Sequence, residues 1–175
     1  MKQHIVILCG PDMTGKTQIS KALAKVLGIP YFKASTERDT YLHNKDKFIM
    51  DLRYADPRLA DFLAQTNYSV VMDRAWPCEF AYSKVFKRQT DVRALREADD
   101  RMSIMGAKVV VCRRTSYEGI VDDIDPELKE AQLKKLDEAY ADFQRWTKCK
   151  TLTLFVDDEN LSREVNDIVE WLKLF

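Results

Sequence analysis

Five short runs rich in apolar residues punctuate the chain: HIVILC (4–9), PYFKAS (30–35), YSVVMD (68–73), AKVVVC (107–112) and TLTLFV (151–156). The continuous run HIVILC predicts a strand buried on both faces, the habit of a parallel sheet, and the other four runs predict further strands. Between them the apolar residues recur every three or four positions. KTQISKALAKVLG places Ile19, Ala22, Leu23, Val26 and Leu27 on one helical face, with Gly28 as a C-cap and Pro30 just beyond. Residues 45–66 are mostly helical in pattern, with a break near Pro57, and 91–105 form another helix. A long amphipathic helix starts at Pro126 and runs to Trp146, and LSREVNDIVEWLKLF (161–175) closes the chain. Strands alternating with helices predict an α/β fold, a five-stranded mainly parallel sheet covered by helices on both faces. The length of 175 residues suits a single domain over 1–175.

In such a fold the loops at the carboxyl ends of the strands carry the site. Three pieces of chemistry fall there. Gly10-Pro11-Asp12-Met13-Thr14-Gly15-Lys16-Thr17 matches G-x-x-x-x-G-K-[ST] at every fixed position, between a buried strand and a helix. Its glycines let successive N–H groups turn toward phosphate oxygens, and the helix that continues through Gln18 adds its positive end. Lys16 is expected on the β- and γ-phosphates and Thr17 on Mg²⁺. The second piece is Asp73-Arg74, a strand-end carboxylate to complete the Mg²⁺ shell and a rigid fork matched to phosphate oxygens. The third is Arg113-Arg114, after the fourth run.

Composition narrows the class. Apolar residues make up 46% and charged residues 32%, and 28 Lys+Arg balance 28 Asp+Glu, so no overall positive field gathers a long nucleic acid. Cys9, Cys78, Cys112 and Cys149 lie far apart without C-x-x-C spacing, which argues against a zinc or disulfide framework and for a reducing cytoplasm. No apolar run reaches membrane-spanning length, and no secretory leader is expected before the first strand. A guanine-reading N-K-x-D is missing: in HNKDK (43–47) the Asp comes one position early and no strand precedes it.

Beyond the loop, the chain resembles the thymidylate kinase-like group of P-loop nucleotide kinases, which borders on the deoxynucleoside kinases. VVMDR (70–74) is similar to the strand-end Asp-Arg of that family's D-R-Y, Ala81-Tyr82 to its Ala-aromatic pair, and LFVDDENLSREVNDI to its last strand, adenine-side loop and helix. The resemblance implies a three-layer P-loop kinase fold, ATP as phosphoryl donor and Mg²⁺ as cofactor. It implies that Asp12 holds the acceptor sugar's 3′-hydroxyl, that Arg53 binds the acceptor phosphate and that Phe48 lies near the base. Of Phe48, Trp76, Phe80 and Tyr82, one is expected to line that pocket, with core packing the alternative for each, whereas Tyr140 and Phe143 read as core. A short lid is expected over 115–128. The family often dimerises through helices, which leaves a homodimer open.

The chain departs from the pattern in three places: Ala75 replaces the Tyr of D-R-Y, Met13 stands where one branch has a loop arginine, and TSYEGIVDDIDPEL (115–128) has no basic residue. Arg113 and Arg114 are the nearest cations to meet the charge on a moving phosphoryl group. The expected reaction is transfer of the γ-phosphoryl of Mg-ATP to a deoxynucleoside monophosphate, a pyrimidine by preference. Two alternatives stay open. One is a kinase of a hydroxyl, on a deoxynucleoside or a modified base in DNA, which would need Asp12 or Asp73 as general base. The other is a nucleotide-dependent switch or binding module.

Overall fold

The computed structural model describes residues 3–33, 58–120 and 130–175. The strands are β1 (Ile5–Cys9), β2 (Tyr31–Lys33), β3 (Val70–Asp73), β4 (Lys108–Arg113) and β5 (Lys150–Phe155). The helices are α1 (Lys16–Leu27), α2 (58–66), α3 (Trp76–Phe86), α4 (Val92–Ile104), α5 (Glu130–Trp146) and α6 (Leu161–Leu172). The sheet order is β2-β3-β1-β4-β5, and every pairing is parallel. The expected α/β sheet is therefore present, with parallel pairing throughout.

Alternation along the strands explains the three layers. Ile5, Ile7 and Cys9 of β1 share one core with Val70 and Met72 of β3 and Val109 and Val111 of β4. Residues from α2 to α5 cover that face, among them Leu63, Trp76, Leu95 and Phe143. Val6 and Leu8, with Val71, Val110 and Leu154, point the other way, into a second core closed by Ile19 and Leu23 of α1 and Val165 and Ile168 of α6. β1, β3 and the middle of β4 are buried on both sides, which favours continuous apolar residues there, whereas the edge strands β2 and β5 are partly exposed.

Local signals set several ends. Gly28 adopts φ 64° and donates back to the carbonyls of Ala24 and Lys25, closing α1 as its position suggested. Asp91 and Asn160 cap α4 and α6 by accepting main-chain N–H bonds from Arg93 and Ala94, and from Arg163. All four cysteines are free and buried. Tyr140 and Phe143 are fully enclosed, as core residues should be. Helix α3 was not read from the sequence. The break expected near Pro57, the start of the long helix at Pro126, residues 34–35 of the second run and most of the lid at 121–128 lie outside the described residues, as do Phe48 and Arg53.

Candidate active site

The loop after β1 is built around one close approach. Gly10 has φ 141°, and a Cβ there would stand 2.1 Å from the carbonyl oxygen of Cys112 on the neighbouring β4. Only glycine lets the chain leave β1 against β4 in this way. Met13 (φ 61°) and Gly15 (φ 68°) continue the turn in the left-handed region, and α1 starts at Lys16. Thr14 is fully buried and donates to Pro11 O at 2.8 Å, tying the loop across its own width.

Lys16 is 5% exposed. Its Nζ donates to the Pro11 carbonyl and, at 3.3 Å, to Thr14 Oγ1, so the ammonium is held against the loop's inner rim. Burial pulls its pKa below the ordinary value and the Arg74 cation adds to that, with Asp12 acting in the opposite direction.

The register of β1 against β3 brings Asp73 beside Leu8, at the mouth of the loop. The Thr17 hydroxyl donates to Asp73 Oδ2 at 2.6 Å, and the Tyr31 hydroxyl donates to the same oxygen at 3.1 Å. Burial, then the charge of Asp73, pushes the Tyr31 phenol up to about 12. The other oxygen, Oδ1, is buried and has no hydrogen-bond partner among the described residues. A hydroxyl beside a carboxylate with an unused oxygen fits Mg²⁺, which is usually held by one or two protein oxygens while phosphates and water complete its shell.

Arg74 follows with φ 71°, its N–H donating to Leu8 O at 2.9 Å. That turn aims its guanidinium at the loop, where Nη2 meets Asp12 Oδ1 at 2.5 Å. The Tyr82 hydroxyl, from α3, donates to Asp12 Oδ2. Burial alone would raise the Asp12 pKa, but Arg74, Lys16 and the Tyr82 bond outweigh it and hold the carboxyl below the ordinary range. Burial leads the upward shift of the Tyr82 phenol, reinforced by the Asp12 charge. Asp12, Arg74 and Tyr82 are thus one cluster, assembled from three elements.

The two arginines after β4 part company. Arg113 forms a two-pronged pair with Asp137 of α5, which also accepts from the Tyr117 hydroxyl at 2.9 Å. The hydrogen bonds to Asp137 raise the Arg113 pKa. Arg114 turns the other way: its Nε donates to Met13 O at 2.9 Å and Nη2 meets Glu159 at 2.7 Å. Only Arg114 of this pair touches the phosphate loop. Arg113 braces β4 to α5, which removes it from the candidates for the moving phosphoryl group.

Trp76 also differs from expectation. It is fully buried, and its indole N–H donates to Asp99 Oδ1 at 3.2 Å, so no ring face is left to stack on a base. Phe80 packs on Phe143 and Trp146 in the same core. Tyr82 is the aromatic of this group that reaches the loop. A residue the sequence reading missed is Glu79, which is 5% exposed on α3, one turn from Tyr82. A Glu in a segment not recognised as helical gave no reason to expect a buried carboxyl.

No protein-family model and no curated protein matches the chain. Solved structures match it nearly end to end. The YorR protein of Bacillus subtilis, in complex with phosphorylated GDP, aligns with a TM-score of 0.70 at 21% identity, over 97% of this chain and 96% of that one. Thymidylate kinase from Ehrlichia chaffeensis aligns at 0.66 and 13%, over 97% and 99%. Deoxyadenosine kinase from M. mycoides aligns at 0.60 and 17%, over the same shares, 97% and 99%. The chain has the fold of P-loop nucleotide and nucleoside kinases.

Proposed function

We propose that this protein is a phosphotransferase that moves the γ-phosphoryl group of Mg-ATP onto a deoxynucleoside monophosphate, a pyrimidine by preference. The kinase neighbours support a phosphotransferase fold. The choice of acceptor rests on one observation, the Asp12–Arg74–Tyr82 cluster.

On the donor side, the loop N–H groups and the N-terminus of α1 would receive the phosphates, and Lys16 would exchange its loop acceptors for phosphate oxygens. Thr17 and Asp73 would hold Mg²⁺, whose part when bound is to neutralise charge on the phosphates. Arg114 lies where it can meet charge gathering on the transferred group, because its guanidinium already touches the loop at Met13. The bond from the γ-phosphorus to the ADP oxygen breaks as a bond to the acceptor oxygen forms. The transition state is loose, so the protein acts mainly by positioning and charge.

A hydroxyl acceptor would need a base. Asp12 is a poor one, since Arg74 and Tyr82 occupy its two oxygens and its pKa lies below the ordinary range. Asp73 carries two donors on Oδ2 and faces the donor phosphates. A phosphate acceptor is already anionic near neutral pH and needs neither. Asp12 then orients the sugar and Arg74 attracts the acceptor phosphate. Arg53 is the further acceptor-phosphate residue and Phe48 the further base neighbour in this reading.

Asp12→Asn separates the two chemistries. It keeps a hydrogen-bond acceptor for Tyr82 but abolishes the charge. With a monophosphate acceptor kcat should stay within about tenfold of the parent, whereas loss of a general base costs on the order of 10²–10⁴. A loss in the second range, with intact ATP binding, would overturn the monophosphate reading in favour of a hydroxyl acceptor.

A further inference from the structure

Glu79 is a buried carboxyl that the chemistry above does not use. It is 5% exposed, and its Oε1 is buried with no hydrogen-bond partner among the described residues. Thr90 and the Arg88 cation lie near the group and favour its ionised form against the effect of burial. Buried acceptors left without a donor are rare in native proteins, and a ligand that brings the donor is one reason to keep one.

The position of Glu79 points to that ligand. Residues 79, 82, 83 and 86 lie along one strip of α3, because positions three and four apart are neighbours on a helix. Tyr82, one turn on, reaches Asp12 in the phosphate loop, the group assigned above to the acceptor sugar. The Arg88 guanidinium lies 5.4 Å from the centre of the Tyr82 ring and 5.6 Å from that of Phe86, so the segment after α3 folds back along the same strip. In the monophosphate reading, a nucleoside whose sugar is held at Asp12 would set its base beside this wall.

We propose that Glu79 reads the acceptor's base, favouring one that offers an amino group, as cytosine does, over one that offers a carbonyl there, as thymine does. The inference rests on the monophosphate reading of the site. A carboxylate oxygen accepts from an amino N–H and repels a carbonyl oxygen, and sites built around one such bond discriminate strongly against a ligand that lacks it. Burial also raises the Glu79 pKa, so the ionised form is held at a cost that a donor from the base would offset.

The test is kcat/KM for dCMP and dTMP with the parent protein and Glu79→Gln, whose amide can donate as well as accept. The parent should prefer dCMP by about 100-fold or more, and the variant should narrow that ratio at least about tenfold. Calorimetric affinity for ATP should be unchanged. Should Glu79→Gln not fold, Glu79→Asp, which keeps the charge but retracts it, should lose the preference in the same way. Calorimetric affinities of the parent for dCMP and dTMP give the ratio without any variant. A parent that prefers dTMP, or a ratio unmoved by substitution, overturns the role of Glu79 while leaving the kinase reading intact. Absence of transfer to every monophosphate overturns that reading, and this one with it.

Discussion

Arg113 and Arg114 are adjacent in sequence, and their substitution should have opposite consequences. Arg113 is 23% exposed and its partner Asp137 is 13% exposed, and the pair is two-pronged. Arg113→Ala leaves Asp137 with the Tyr117 hydroxyl as its donor. Breaking a fully buried pair costs about 3–5 kcal/mol. The exposure here allows water to recover part of that, so about 2–3 kcal/mol is expected. At this chain length each kcal/mol shifts Tm by about 2–4 °C, which gives a fall of about 4–12 °C. Turnover at a temperature where the variant is folded should remain within about threefold of the parent, because Arg113 points at α5 and not at the loop.

Arg114→Ala should do the reverse. Its partner Glu159 is 73% exposed, so the lost ion pair contributes under about 1 kcal/mol and Tm should move by only a few degrees. If its guanidinium stabilises charge on the moving phosphoryl group, kcat should drop by about 10²–10³. Thermal melts by circular dichroism and a coupled ADP-release assay on the two purified variants measure both quantities. Loss of turnover in Arg113→Ala with an unchanged melt would refute this division of labour. So would an Arg114→Ala variant with full kcat.

Gly10→Ala should destabilise the fold by at least about 2–3 kcal/mol, since its Cβ would meet the backbone carbonyl of Cys112 at 2.1 Å and φ 141° suits glycine alone; a melt within about 2 °C of the parent would contradict the close approach. Glu79→Gln should raise stability near neutral pH, because burial lifts the Glu79 pKa above the ordinary 4.5. With the folded pKa the higher one, the parent is destabilised as pH rises through the unfolded and then the folded value, so the variant's advantage should vanish below about pH 4. Chemical denaturation at both pH values checks the sign, and an advantage that grows in acid would contradict it.

Much of this arrangement was legible in the chain. The apolar runs were legible as strands, although only β1, β3 and β4 are buried on both faces while the edge strands β2 and β5 are partly exposed. The Gly10–Thr17 spacing suited a tight turn from strand to helix. Asp73 was visible as a carboxylate ending such a run. Helix α3 was not, for a physical reason: its first two residues are Trp76 and Pro77, and its buried positions include polar Glu79 and Ser83, so it lacks a clean apolar stripe. Because that helix was missed, Trp76 was placed near the base when its indole is in fact bonded to Asp99. The two arginines after β4 could not be told apart from spacing, since their directions are set by partners far along the chain, Asp137 and Glu159. The link between Asp12 and Tyr82, 70 positions apart, likewise exists only once the chain is folded.

The account turns on where the phosphoryl group goes. Incubating the protein with γ-labelled ATP and Mg²⁺, and with deoxynucleosides, deoxynucleoside monophosphates or short DNA in parallel, answers this directly. The account predicts label in a deoxynucleoside diphosphate, with pyrimidine acceptors ahead of purines, and none in nucleoside or DNA above a control with Lys16→Ala. Label on a nucleoside or on DNA, or steady ATP hydrolysis with no labelled acceptor, would contradict it.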